Sequence, residues 1–217
     1  MTTATYNTTR EAHAAAPRRR EFSDFAWTPE NALEVSRILA RYPEARPHSA
    51  VMPLLWLAQQ QMAAATGSAW LPVPVIEYVA AVIGMPYMRA YEVATFYTMY
   101  NLKPVGRYLV QVCGTTPCLL RGSDDLLRAC KDKGLVKGAT TADKLFTLSE
   151  VECLGACANA PMVQINDDNY EDLTYDRMTA ILDALAKGEK PKPGSAIGRT
   201  ASCPEGGRTT LKEMADG

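Results

Sequence analysis

The chain has 217 residues, a formal net charge of −1 and 47% hydrophobic residues, enough for one large or two small domains with their own cores. That balance gives no electrostatic reason to expect nucleic acid or an anionic membrane surface as a partner. The longest apolar runs, such as Val79-Ala80-Ala81-Val82-Ile83, are far too short to cross a bilayer, so no direct membrane insertion is expected.

Residues 1–24 are rich in Thr, Ala and Arg and read as a flexible tail. The same Arg-rich, acid-poor character is also that of a mitochondrial transit peptide. Arg19-Arg20-Glu21-Phe22 echoes a twin-arginine signal, but the apolar stretch that should follow is missing.

Residues 25–102 carry four helical patterns joined by short connections, as in a small antiparallel bundle. Thr28-Pro29 supplies an N-cap and a proline for the first turn of a helix running to about Arg41. Ser49 is placed to cap a second, with Val51, Leu54, Leu55, Ala58, Met62 and Ala65 at helical spacing until Gly67. The third spans residues 74–84, and Pro86 opens the fourth. Its aromatic set, Tyr91, Phe96, Tyr97 and Tyr100, fits a core or a subunit interface better than a cofactor box.

Lys103-Pro104-Val105-Gly106 breaks the helical period, and a domain over residues 103–188 follows. Residues 107–112 alternate as a strand that delivers Cys113, and residues 119–131 read as a helix with Leu120, Leu127 and Cys130 turned inward. Residues 145–151 form a second strand ending just before Cys153. A hairpin is expected from residues 162–165 and 170–173 around Asp167-Asp168-Asn169, and residues 175–187 close the domain as an amphipathic helix. A β-α-β unit followed by β-β-α is the order of a thioredoxin-like layer, giving an α+β chain overall. Residues 189–217, rich in Pro, Gly and Lys, read as an extended tail.

Four of the six cysteines are paired in two loops, Cys113 with Cys118 and Cys153 with Cys157. Their spacing is C-x4-C, 34 intervening residues, then C-x3-C, with Gly and small residues that let backbone N–H groups approach the sulfurs. Without a signal-peptide core, and with Cys130 and Cys203 outside the pattern, reduced thiols fit better than a disulfide framework. Cys130 reads as a core residue and Cys203 as incidental to the chemistry. The only histidines, His13 and His48, lie far from these loops, which argues against His/Cys zinc and Rieske sites. Thioredoxin-type exchange needs C-x-x-C, which is missing. A four-cysteine zinc site stays open, but zinc ribbons prefer two-residue gaps, whereas a binuclear [2Fe-2S] cluster, with two cysteines per iron, suits wider loops. Such a centre carries formal charge −2 when oxidised and therefore resists a further electron, so its potential should be low. Thr115 and Thr116 fit either of two roles, turn formation or hydrogen bonds that tune that potential. Pro161 begins a strand beside the loops, where a cis peptide is as open as a trans one.

The segments Glu92-Val93-Ala94-Thr95-Phe96-Tyr97, Cys113-Gly114-Thr115-Thr116-Pro117-Cys118, Glu152-Cys153-Leu154-Gly155-Ala156-Cys157 and Asn159-Ala160-Pro161-Met162-Val163-Gln164-Ile165-Asn166 carry a family resemblance. Together they resemble the 24 kDa [2Fe-2S] subunit family of respiratory complex I, over about residues 22–211. Related subunits occur in NAD-linked formate dehydrogenases and hydrogenases, and the stretch 198–207 resembles the complex I form in particular. The resemblance implies a helical bundle followed by a thioredoxin-like domain with one [2Fe-2S] cluster on Cys113, Cys118, Cys153 and Cys157. It implies electron exchange with the FMN of an NADH-oxidising partner subunit, and a neighbouring iron–sulfur subunit as a second partner. It does not imply catalysis by the chain alone, and no G-x-G-x-x-G follows a strand that would bind NADH. The expected location is the cytoplasmic face of a bacterial inner membrane, in a peripheral arm, with the matrix side of a mitochondrial inner membrane as the alternative.

Overall fold

In the computed structural model, residues 21–204, 206–207 and 209–211 are described, and the chain divides into two compact units between Pro104 and Val105. Most of the N-terminal segment read as a tail, residues 1–20, lies outside the described residues.

The first unit is helical. Helix α1 (Pro29–Leu39) starts as its sequence requires, with the Thr28 hydroxyl accepting from the Asn31 N–H at 3.3 Å and proline in the first turn. Helix α2 (Val51–Thr66) ends at Gly67, whose φ of 75° lies in the left-handed region that glycine enters without a Cβ penalty. Its start differs from expectation. A 3-10 turn, Pro47–Ala50, leads into it, and the Ser49 side chain caps nothing in α2. Helix α3 (Val73–Val82) follows Pro72 and carries Pro74 in its first turn, and helix α4 (Tyr87–Phe96) follows Pro86. Leu54, Leu55, Ala58, Val75, Ile76 and Val79 are fully buried at the centre of this unit.

Gln59 is the buried polar exception, 2% exposed. Its amide donates to the Met99 carbonyl at 3.1 Å and its Oε1 accepts from the Asn101 N–H at 2.8 Å, closing the chain after α4. Gln59→Leu fits the same space but strands both backbone groups. It is expected to cost about 3 kcal/mol, read as a lower urea midpoint by tryptophan fluorescence. All three tryptophans, Trp27, Trp56 and Trp70, lie in this unit and report on it.

The second unit is built on a five-stranded sheet ordered β2-β1-β3-β4-β5, from β1 (Tyr108–Cys113), β2 (Phe146–Val151), β3 (Val163–Ile165), β4 (Asp168–Glu171) and β5 (Gly194–Ser195). Strands β1 and β2 run parallel with Cys113 opposite Val151, β3 is antiparallel to both β1 and β4, and β5 is parallel to β4. Helices α6 (Ser123–Asp132) and α7 (Tyr175–Ala186) pack on it through Leu126, Ala129, Cys130, Met178, Leu182 and Leu185.

Three local features depart from the sequence reading. The helix expected over residues 119–131 is two: α5 (Thr116–Leu120), then α6, separated at Gly122 with φ 100°, which leaves Leu120 79% exposed. The hairpin turn is Asn166-Asp167, which starts one residue and ends two residues before the expected Asp167-Asp168-Asn169. Asn166 sits at φ 54° and pins β1 by accepting from the Leu109 N–H and donating to the Arg107 carbonyl. The C-terminal segment adds β5, a strand too short for any period to show.

Candidate metal centre

Parallel strands end at the same edge of a sheet, and this places the two cysteine loops side by side. Cys113 is the last residue of β1, and the Gly114 N–H donates to the Val151 carbonyl at 2.9 Å, so the chain beyond β2 turns toward Cys153 from the same edge. In the first loop Pro117 lies in the first turn of α5 and Cys118 in the next position, so the helix turns that thiol inward. In the second, Gly155 at φ 86° reverses the chain, and Cys157 opens the 3-10 turn Cys157–Asn159. The Ala160-Pro161 peptide is cis.

The sulfurs form two pairs. Cys153 Sγ lies 3.3 Å from Cys157 Sγ, and the Cys113 and Cys118 thiols hydrogen-bond to each other. Among the described residues, no group of three or more His, Cys, Asp or Glu side chains is drawn together as the ligands of a metal ion would be. The pairs differ in environment. Cys113 and Cys118 are each 1% exposed, packed with Ala160 and Met162, whereas Cys153 and Cys157 are exposed.

Donors surround the sulfurs. The Thr115 hydroxyl lies 3.2 Å from Cys113 Sγ and also reaches Cys153. Backbone N–H groups of Leu154 and Met162 point at Cys113 and Cys118, and that of Gly155 at Cys153 from 3.4 Å. Within each pair the thiol affinities for protons split. Burial raises Cys113, but the Thr115 hydroxyl and N–H, the Leu154 N–H and the Cys118 thiol outweigh it and hold the group below the ordinary thiol value. Burial, then the bond to Cys113, pushes Cys118 up to about 11. The Gly155 N–H and the Cys157 thiol lower Cys153, and the bond to Cys153 raises Cys157. One thiol in each pair thus lies below the ordinary value and its neighbour above it, the rise being set chiefly by burial and by the bond within the pair. Metal cations remove that difference, since a coordinated thiol is deprotonated outright. Two pairs, each with sulfurs in contact, fit two metal ions of two thiolates each, and the donor set suits a [2Fe-2S] cluster.

All four cysteines singled out by spacing are therefore brought together, and Cys130 and Cys203 are not among them. Cys130 is fully buried in α6, where burial pushes its thiol up to about 12, as befits an inert core residue. Sequence reasoning missed the residues that brace the second loop: Asn159, Asp172 and Arg199. No spacing rule links them, since they lie 13 and 27 residues apart and meet only through β4 and β5.

The chain matches the family model described as thioredoxin-like [2Fe-2S] ferredoxin over residues 35–186. It is 56% identical over 166 residues to a subunit of the NADH-quinone oxidoreductase of Rickettsia conorii, covering 76% of this chain and 96% of that relative. With the corresponding subunit from Rickettsia bellii the identity is 55% over 166 residues, with the same shares. Among solved structures, an air-oxidised NAD+-reducing [NiFe]-hydrogenase superposes with a TM-score of 0.53 at 19% identity. That match covers 64% of this chain and only 23% of the hydrogenase chain, and it speaks for the fold alone. The matched span takes in both cysteine pairs and the strands that present them, and on that ground the chain belongs to the thioredoxin-like [2Fe-2S] ferredoxin family.

Proposed function

We infer that this chain is the electron-transfer subunit of an NADH:quinone oxidoreductase, exchanging one electron with the FMN of an NADH-oxidising partner subunit. The observation that carries the reading is the convergence of two thiol pairs at one edge of the sheet, in a chain more than half identical to NADH-quinone oxidoreductase subunits. Cys113, Cys118, Cys153 and Cys157 are the ligands of one [2Fe-2S] cluster in this reading. When bound, the cluster supplies a one-electron centre of low potential.

The chain's own residues tune and orient that centre. The N–H groups of Leu154, Gly155 and Met162 and the Thr115 hydroxyl donate toward sulfur, which offsets negative charge and eases addition of an electron. Ala160 and Met162 shield the inner pair from water. The exposed Cys153 and Cys157 give the outer side to a partner, and Leu119 and Leu120, 50% and 79% exposed, follow Cys118 directly as an apolar rim. In this reading the ferredoxin-like domain spans residues 103–188, after a helical domain of residues 25–102 and before a C-terminal segment of residues 189–217. No described helix is long and apolar enough to cross a membrane. The reading places the chain in a peripheral arm, against the flavin subunit and a neighbouring iron–sulfur subunit, on the cytoplasmic face of a bacterial inner membrane.

The test is EPR of the purified chain, oxidised and after dithionite, with iron, sulfide and zinc measured on the same sample. A silent oxidised form, an S = 1/2 signal on reduction and about two irons per chain are expected. Co-purification with a flavin-containing subunit should follow. Stoichiometric zinc, no sulfide and no signal would turn the site into a structural module and remove the electron-transfer role.

A further inference from the structure

The C-terminal segment folds back on the second cysteine loop through one buried ion pair. Arg199 and Asp172 meet at 2.5 Å with side chains only 12% and 4% exposed. Asp172 is a hub. Its second carboxylate oxygen accepts from the Ser195 hydroxyl at 2.6 Å, its carbonyl accepts from Arg177 at 3.0 Å, and its N–H donates to the Asn159 carbonyl at 2.8 Å. The next N–H, of Leu173, donates to the Pro161 carbonyl at 3.1 Å. Arg199 uses its other terminal nitrogen on the Ala158 carbonyl at 3.3 Å, and the Asn159 amide donates to Glu171 at 2.6 Å and to the Ala201 carbonyl at 2.8 Å. Residues 158, 159 and 161 are thus held by β4, the residues just after it and the C-terminal segment. These same residues connect Cys157 to Met162, whose N–H points at Cys118 and whose carbonyl accepts from the Cys113 N–H at 3.4 Å.

We propose that Arg199 and Asp172 act as a positioning clamp, through which the C-terminal segment fixes the outer cysteine pair relative to the inner pair and so governs how firmly the iron–sulfur centre is held. The proposal rests on the ligand assignment above. A fork that binds a carboxylate with one arm and a loop carbonyl with the other is a task for arginine, because its planar guanidinium presents both donors in fixed geometry. Removing Arg199 leaves the Asp172 carboxylate charged and buried with the Ser195 hydroxyl but no cation beside it, so the clamp opens instead of re-forming elsewhere.

The test compares the full chain, purified with its iron, as wild type, Arg199→Gln, Arg199→Lys and Ser195→Ala. Three readouts are used: iron release to a chelator, the line shape of the reduced EPR signal, and amide exchange over residues 157–162. Arg199→Gln should release iron about tenfold faster, broaden the signal and speed exchange in that stretch. Arg199→Lys keeps the charge but loses the fork, and should recover part of the release rate. Ser195→Ala removes one hydrogen bond from Asp172 and should give a change of about two- to threefold in the same direction, which serves if Arg199→Gln does not fold. Release rates, line shape and exchange all equal to wild type would overturn the clamp, whatever happens to the melting temperature. A wild-type chain without the reduced signal would instead overturn the ligand assignment, and the clamp's role with it.

Discussion

Cys118→Ala is expected to give a chain with no reducible iron–sulfur centre, with iron and acid-labile sulfide falling to background and the reduced EPR signal lost. Cys118 is 1% exposed, packed with Cys113, Ala160 and Met162, and is turned inward by the first turn of α5. Cys130 cannot take its place, being fixed in the core of α6 at 0% exposure. Solvent cannot supply a substitute ligand to so closed a position as readily as it can beside the exposed Cys153 and Cys157. Cys157→Ser is therefore expected to do less harm than Cys118→Ala, and the order of iron loss between inner and outer variants checks the asymmetry. Full iron content in Cys118→Ala would remove that residue from the ligand set.

Gly106→Ala is expected to destabilise the second unit by about 3 kcal/mol, the upper end of the usual cost of overpacking, because the obstruction is main chain. A Cβ on Gly106 would lie 2.7 Å from the Phe146 carbonyl carbon, 2.9 Å from the Phe146 nitrogen and 3.0 Å from the Leu145 carbonyl carbon. The Gly106 N–H also donates to the Thr147 hydroxyl at 2.6 Å, so backing away breaks a bond. The neighbouring case makes the contrast. A Cβ on Gly114 would meet the Glu150 carboxylate at 2.8 Å, the end of a side chain that can swing aside, and Gly114→Ala should cost under about 1 kcal/mol. Urea unfolding followed by circular dichroism and by the visible absorbance of the cluster separates the two variants. Equal midpoints would show that β1 and β2 tolerate a wider approach than the geometry allows.

The parts of this fold that were legible in the sequence are those set by local chemistry. Thr28-Pro29 caps α1, Gly67 ends α2, and the alternation before Cys113 marks the strand β1. The convergence of the two cysteine loops was legible too, because a β-α-β unit makes its strands parallel and brings both loops to one edge. The misreadings came where a local signal had two meanings. Gly122 sits in an apolar pattern that a single helix would also satisfy, and only its positive φ shows that the chain breaks there. Ser49 has the right residue type for a cap, yet Pro47 begins a 3-10 turn first. Asn166, just before the expected turn Asp167-Asp168-Asn169, takes the left-handed position, because its side chain also closes two bonds to β1. Strand β5 and the Arg199–Asp172 pair depend on contacts between distant segments and leave no period or motif behind.

The register of β1 against β2 also sets an order of events in making this protein. Each cysteine pair is local, but the two pairs are separated by 34 residues and meet only once Cys113 stands opposite Val151. That pairing is parallel and non-local, so its loop-closure entropy is met before any ligand is gained. A nascent chain therefore offers two half-sites, and neither has the full set of sulfurs. The inner pair is buried and the outer pair exposed in the folded unit, so the full ligand set is a product of the sheet and not of either loop alone.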